Sequence, residues 1–502
     1  MTQPIADICL ITEGSYPYVS GGVSGWCQQL IEDHQDKTFH LVSIVSMTQE
    51  LKHRYTLPKN VIGLQNIVLQ SLPKVSSFKS FKKRKAFFSQ LEANLKDFFI
   101  SGGTKAFKNL IDLLEAYPMA FSEEILLNSQ ESWDILLTFY KRYMPGASFI
   151  DFFWAWRNLF SSLFSIIASP LPPARLYHAA CTGYAGLLMA KGHLRQTPCF
   201  LTEHGIYTNE RQVEITLADW IEYQKNFSLQ LEKSIIDFDL KDFWMGMFEE
   251  YAHICYESCD EIITLYEGNK DLQIAQGAPA QKIQVIPNGI DYDFYSTIPR
   301  DVTHPPTIAL IGRVVPIKDI ETFIQACITL KETIPYLKAY IIGPWDEDRA
   351  YYEECVETVQ YAGMEDTITF TGKVMLKDYL PIIDVCVLTS LSESQPLVLL
   401  EVGAAGIPSV TTDVGSCREL LYGKTEEAAT GGNLKGGIVV EVGSPEAVAE
   451  GLRQLLTDKN LYTRCQDVMR KRVYQYYNKV KIYQNYRDLY NKYLQPSSAR
   501  VA

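Results

Sequence analysis

From Thr307 onward, short apolar runs alternate with helical patterns. Thr307–Ile311, Leu337–Ile342, Ile368–Phe370, Val385–Thr389, Ile407–Thr411 and Gly437–Val440 read as strands, and Asp319–Thr333 and Glu347–Ala362 as two of the helices between them. Wholly apolar strands must be covered on both faces, and parallel neighbours need long crossovers, which helices supply. The pattern therefore predicts an α/β doubly wound domain. The first half opens the same way, with a strand at Ala6–Thr12, a glycine-rich loop at Tyr16–Gly25 and a helix at Trp26–His34. Strands follow at His40–Ser46, Leu176–Ala180, Cys199–Glu203, Glu261–Leu265 and Lys282–Ile286. The predicted order is an N-terminal Rossmann-like domain over 1–296, a linker over 297–306 carrying Pro299, Pro305 and Pro306, and a second Rossmann-like domain over 307–477. A helical insertion at about 71–170 interrupts the first domain. The segment 478–502 begins as a helix whose Tyr483, Tyr486, Leu489, Tyr490, Tyr493 and Leu494 share one face, and it is expected to cross back to the first domain.

Charge and cysteine content narrow the function. The net charge of −12 argues against nucleic acid as a partner. Lys79, Lys82, Lys83, Arg84 and Lys85 form a local basic run, read as a solvated helix face, with a docking patch for acidic lipid or protein as the alternative. The 11 cysteines lack a repeating spacing, which points to reduced thiols and a cytoplasmic setting. His253, Cys255 and Cys259 have no fourth ligand nearby for zinc. Met1–Leu10 lacks the pattern of a signal peptide. Phe149–Leu171 is the most apolar stretch, but Asp151, Asn158, Ser162, Ser165 and Ser169 recur at helical spacing, so it reads as an amphipathic, mostly buried helix. A membrane-surface helix is the second reading.

Parallel sheets bind ligands at the carboxyl ends of their strands. Gly312-Arg313 follows one strand and Lys318 precedes the next helix. Two cations beside a helix N-terminus suit a diphosphate and could neutralise it without a metal ion. Ser390-Leu-Ser-Glu393-Ser-Gln-Pro396 follows another strand. Proline favours the first helical position, which places Glu393 in the loop and Glu401 in the second turn. Gly343 and Gly372-Lys373-Val374 follow two further strands, where small residues let a flat base approach the backbone. Gly21, Gly22 and Gly25 do not have the Gly-x-Gly-x-x-Gly spacing, which counts against a dehydrogenase. Asp237-Phe-Asp239 and Asp291-Tyr-Asp293 mimic a metal-binding motif of another transferase fold and read as solvated or turn residues.

In order and spacing, Val285-Ile-Pro-Asn-Gly-Ile-Asp291, Gly312-Arg313 with Lys318, Glu393-Ser-Gln-Pro-Leu-Val-Leu-Leu-Glu401, Ala404-Ala-Gly-Ile-Pro408 and Thr412-Asp-Val-Gly415 resemble the retaining glycosyltransferases of family four. Thr12–Trp26 and Thr202–Arg211 resemble the PelF family within them, which serves bacterial Pel exopolysaccharide synthesis, so the resemblance spans nearly the whole chain. It implies the GT-B fold, two Rossmann-like domains facing a central cleft. It also implies a UDP-sugar donor, a growing polysaccharide acceptor, no cofactor and no metal. The setting would be the cytoplasm, at the inner membrane beside Pel synthesis and export proteins. UDP-N-acetylgalactosamine is the favoured donor, with UDP-N-acetylglucosamine and UDP-glucose open.

By the same resemblance, Arg313 and Lys318 would hold the diphosphate, Glu401 the ribose and Glu393 a donor-sugar hydroxyl. Backbone at Leu397 and Val398 would face the phosphate or sugar, and Gly343 and Val374 would complete the donor site. Gly21 and Gly22 would offer backbone to the phosphate, His204 would lie near the reacting sugar, and Tyr18, His178 and Tyr207 would be on the acceptor side. The family usually places Gly after the first Glu; here Ser394 and Gln395 stand there. Transfer builds charge on the leaving diphosphate, which fixed cations and a helix N-terminus stabilise. With retention and no evident carboxylate nucleophile, front-face attack using the leaving phosphate as base is the preferred mechanism. A UDP-sugar epimerase or hydrolase on this fold, and a non-catalytic nucleotide-binding subunit of an export complex, stay open as alternatives.

Overall fold

The computed structural model describes residues 4–46, 51–73, 81–217, 239–301, 303–424 and 434–495. The chain divides into two compact units. Unit 1 comprises Met1–Thr264, Asn269–Val285 and Leu489–Ala502; unit 2 comprises Leu265–Gly268 and Ile286–Asp488.

Unit 1 contains a seven-stranded parallel sheet built from β1 (Ile8–Glu13), β2 (Phe39–Val45), β3 (Val61–Val68), β4 (Tyr177–Ala179), β5 (Cys199–Glu203), β6 (Glu261–Thr264) and β7 (Ile283–Val285). Their spatial order is β3-β2-β1-β4-β5-β6-β7, all pairs parallel. Strand β3 was not evident in the sequence. It is an edge strand, largely half-exposed, with polar Gln65 and Asn66, so it lacks the continuous apolar signature of its neighbours. Gly63 within it leaves room for the His40 ring, which lies 2.5 Å from where a Cβ would be.

The segment expected as an insertion forms the long helices Phe81–Ile100, Gly103–Ala116, Gln130–Tyr143 and Phe149–Ala168. Ser129 and Ser148 cap the last two, each accepting a backbone N–H three residues on. These helices share one apolar core with Ile11 and Val42 of the sheet and Leu188 and Ile254 of the covering helices. They are therefore part of the domain's core. The polar stripe of Phe149–Ala168 does not face solvent as a whole: Ser162 and Ser165 are buried. Ser165 and the half-buried Ser169 each donate to the carbonyl four residues back, at 2.7 Å, which satisfies the Ser165 hydroxyl inside the core.

The end of the C-terminal helix, Lys479–Leu494, belongs to unit 1. The Tyr490 hydroxyl lies 2.7 Å from His178 Nδ1, and its ring stacks on Phe200. Lys492 and the Tyr493 hydroxyl both donate to Glu261 Oε1, at 2.7 and 2.8 Å.

Unit 2 holds a six-stranded parallel sheet of β8 (Thr307–Ile311), β9 (Lys338–Ile342), β10 (Ile368–Gly372), β11 (Val385–Leu388), β12 (Ser409–Thr412) and β13 (Gly437–Val440). The order is β10-β9-β8-β11-β12-β13, that of a doubly wound nucleotide-binding sheet. The unit starts earlier than the linker read from the sequence. Ile290 pairs with Asn478, and Tyr292 and Tyr295 pack on the same apolar cluster as Leu397 and Val398, which draws Ile286–Ser296 into this unit.

Candidate active site

In unit 2 the strand order reverses between β8 and β11, so the loops after these strands border the crevice where such sheets bind ligands. After β8, Pro316–Lys318 forms one 3-10 turn. Asp319 then takes left-handed backbone, φ 47°, and its carboxylate accepts the Thr322 N–H to cap the Ile320–Thr333 helix. The loop after β11 pins this turn. The Thr389 hydroxyl donates to the carbonyls of Lys318 and Asp319, at 2.9 and 2.8 Å, and Leu391 N–H donates to Ile317 O at 2.9 Å.

The stitched loops bring Lys318 and Glu393 together. Lys318 Nζ donates to Glu393 Oε1, which also accepts the Ser390 hydroxyl at 2.7 Å. The two side chains are only 17% and 12% exposed. The Glu393–Ser394 backbone is fixed from behind. Gly415, at φ 51°, is the residue that allows it, because a Cβ there would stand 2.1 Å from the Glu393 carbonyl oxygen. Gln395, where the loop departs from the family pattern, is buried, and its Oε1 accepts the Asn288 N–H at 2.6 Å.

Pro396 occupies the N-cap and Leu397 is the first helical residue, so the Leu397–Ala404 helix starts one position later than expected. Its first turn, at Leu397 and Val398, carries backbone N–H groups that no intrahelical carbonyl can satisfy. Glu401, in the second turn, is half-buried. Burial raises its carboxyl above the usual range, and a hydrogen bond with Tyr295 works against that rise. Val374 and Val398 both pack on the apolar cluster that includes Ile342. Arg313 is different: its side chain is 54% exposed, and its Nη1 lies 2.6 Å from both carboxylate oxygens of Glu347. Gly343 is sterically required, since a Cβ would fall 1.8 Å from Gly312 O.

In unit 1 the reversal falls between β1 and β4. Gly21 is the N-cap and Gly22 the first residue of the Gly22–Asp33 helix. A Cβ at either would meet nothing within 4 Å, so packing inside the unit does not demand glycine there. His204, half-buried after β5, meets the Trp26 ring edge-on at 4.6 Å between centroids. Burial lowers its pKa to about 4, so the imidazole is neutral at neutral pH.

The acceptor-side expectations fare differently. His178 is fully buried: Nδ1 meets Tyr490 and Nε2 lies 2.8 Å from the Thr202 hydroxyl. Burial, helped by neighbouring His204 and His34, lowers its pKa to about 3. It is a core residue that anchors Tyr490 and offers no ring nitrogen to an acceptor. Tyr18 is also buried, its hydroxyl donating to Asn66 Oδ1 at 2.8 Å. Tyr207 is buried too; its hydroxyl donates to Glu13 Oε1 at 2.8 Å and its N–H to Glu203 Oε1 at 3.2 Å.

Residues 6–281 match the family described as Domain of unknown function (DUF3492), and residues 305–458 match Glycosyl transferases group 1. The chain belongs to the DUF3492 family. Its second unit carries a group 1 glycosyltransferase domain. Among curated relatives, N-acetyl-alpha-D-glucosaminyl L-malate synthase of Bacillus anthracis is 27% identical over 42% of this chain. The amylovoran biosynthesis glycosyltransferase AmsK of Erwinia amylovora is 29% identical over 30%. The matches span only 54% and 38% of those relatives. Anabaena HepE, solved in complex with UDP, superposes with a TM-score of 0.59 at 12% identity, covering 97% of this chain and 100% of HepE. Sucrose-phosphate synthase of Thermosynechococcus elongatus gives 0.57 at 16%, covering 97% and 98%. The fold is that of GT-B glycosyltransferases.

In this DUF3492 member, sequence reasoning missed four residues that shape the sites. Tyr295 and Glu347 are the partners of Glu401 and Arg313. Glu13 and Glu203 end β1 and β5 in the same dipeptide, Thr-Glu, which was the available signal. Glu13 accepts the Tyr184 N–H at 2.8 Å, at the start of the Tyr184–His193 helix that follows β4. Glu203 is fully buried and accepts from Thr182, Tyr207, Tyr256 and Gln273. Burial raises its carboxyl above the usual range, and the four donors offset part of that. Among the described residues no group of three or more His, Cys, Asp or Glu is placed to hold a metal ion. Lys79 and Asp237 lie outside the described residues.

Proposed function

We propose that the protein is a retaining glycosyltransferase that moves a hexosamine or hexose from a UDP-sugar to a growing exopolysaccharide of the Pel type. The observation that carries this reading is the Lys318–Glu393 pair, held at the β8/β11 reversal beside the first turn of the Leu397–Ala404 helix. A cation and open N–H donors suit a diphosphate, and a carboxylate at the same point suits a sugar hydroxyl. Glu401, farther along the helix, is suited to ribose hydroxyls. Open space above Gly21 and Gly22 fits close approach of a phosphate to backbone. AmsK, an amylovoran biosynthesis glycosyltransferase, and HepE, which binds UDP, support the substrate class.

In this reading Lys318 and Arg313 take up the charge of the leaving UDP, with no metal required. The leaving phosphate accepts the proton of the incoming hydroxyl on the same face, which preserves configuration. Neutral His204 donates or accepts a hydrogen bond at the reacting sugar. The test is UDP release from a panel of UDP-sugars with and without a polysaccharide acceptor, in EDTA. Acceptor-dependent release with a retained linkage is expected. Release without acceptor marks a hydrolase, interconversion of the donor marks an epimerase, and nucleotide binding without turnover marks a silent subunit. Loss of UDP binding in EDTA that magnesium or manganese restores would overturn the metal-free part.

A further inference from the structure

Tyr295 reaches Glu401 from a segment that is fixed from several sides. The Ile290 N–H donates to Tyr477 O, and the Ile290 carbonyl accepts the Lys479 N–H, both at 2.9 Å. Asp291 pairs with Lys479 at 2.6 Å through one carboxylate oxygen. Its other oxygen accepts the Phe294 N–H at 3.1 Å and caps the short Tyr292–Ser296 helix. Gln395 holds Asn288 from the loop that carries Glu393. Tyr295 packs on two apolar clusters, each of which also takes Val398, three residues before Glu401. Both ends of the Tyr295–Glu401 hydrogen bond are therefore carried by backbone that other contacts already hold. Among the described residues Glu401 makes no ion pair, so the phenol is the partner that favours its charged form.

We propose that Tyr295 is a positioning residue for ribose recognition: its hydroxyl donates to the Glu401 carboxylate and keeps that group set to accept both hydroxyls of a nucleotide's 2′,3′-diol. The inference rests on the proposed role of Glu401 at the ribose. A carboxylate offers about four lone-pair positions, so one tyrosine donor leaves room for both hydroxyls of the diol. A protonated carboxyl would turn one of its oxygens into a donor and lose part of that capacity. Burial by itself favours the protonated form of Glu401, and the hydrogen bond from Tyr295 opposes it. The phenol stays a donor, because burial and the charge of Glu401 push its own pKa up. The ordering of a charged acceptor is then completed during folding, and an arriving ribose meets a group already in place.

The test is calorimetric titration of the full chain with UDP and with 2′,3′-dideoxy-UDP, read as the ratio of the two Kd values. Wild type should prefer UDP at least ~10-fold, because the second nucleotide cannot make hydrogen bonds to the charged group. Tyr295→Phe keeps the ring in its clusters, so the variant should fold, as its melting temperature will show, and it should cut the preference about fivefold. In a Glu401→Ala background the preference should be near unity, and adding Tyr295→Phe should change it no further. A Tyr295→Phe variant with the wild-type preference, beside a Glu401→Ala variant that loses it, would overturn the inference and leave the ribose role of Glu401 standing. Equal weakening of both nucleotides by Tyr295→Phe would do the same, by showing a role in packing alone. A preference that survives Glu401→Ala, or a wild type that binds both nucleotides alike, would remove Glu401 from the ribose and the inference with it.

Discussion

Glu393→Gln should tighten UDP binding while slowing sugar transfer. Lys318 and Glu393 satisfy each other, and both side chains are mostly buried. A diphosphate must compete with that carboxylate for the ammonium, and it also meets the carboxylate's repulsion. Unit charges about 4 Å apart at an effective dielectric near 20 interact by about 4 kcal/mol, which sets the upper scale. Much of this cancels between the lost pair and the new one, so about 1–1.4 kcal/mol should reach the binding constant, five- to tenfold in Kd. The amide keeps the shape and can still accept the Ser390 hydroxyl, so the loop should hold. Removing one partner leaves the Lys318 ammonium mostly buried and unpaired, and the free variant should lose roughly 1–3 kcal/mol of stability. Calorimetric titration of UDP and uridine into wild type, Glu393→Gln and Lys318→Ala, with melting temperatures, measures each term. Uridine should not respond. A Glu393→Gln variant of intact fold that binds UDP no more tightly than wild type would refute the competition argument.

Arg313→Ala should weaken UDP by about 1.5–3 kcal/mol and spare uridine, and equal losses by calorimetry would remove Arg313 from the phosphate site. Glu401→Ala should weaken UDP and uridine alike, since both carry ribose; a loss confined to UDP would reassign it. Tyr490→Phe strips the buried His178 of a partner and should cost about 1–3 kcal/mol, so an unchanged melting temperature would show that the contact does not hold the helix end. His178 and His204 have pKa values lowered to about 3 and 4. Unfolded histidine takes up its proton near pH 6.5 while the folded ring stays neutral, so stability should fall as pH drops below about 6.5. His178→Asn should show a shallower acid loss in melting temperature between about pH 6.5 and 4.5; parallel curves would contradict this.

The strands with continuous apolar runs were legible because burial on both faces leaves no other composition. Strand β3 was not, since its exposed edge admits Gln65 and Asn66. The loop residues Lys318, Glu393 and Glu401 could be picked out by position after strands, yet their pairings could not. Glu393 bonds a residue 75 positions away, and Glu401 is met by a tyrosine from a segment that had been assigned to the other domain. His178 misled for the converse reason. A histidine within a strand looks the same in sequence whether its ring opens to a crevice or is enclosed by Tyr490, 312 residues on.

The close crossing of β8 and β9 has an evolutionary consequence. Gly312 N–H donates to Ile342 O, Gly343 N–H donates to Gly372 O, and no side chain fits at Gly343. A crossing made of main chain offers mutation nothing to retune: substitution at Gly343 can break it but cannot reshape it. Variation around this crossing is therefore left to positions that border it and have room to vary, such as the exposed Lys373 and the exposed Arg313 with its partner Glu347.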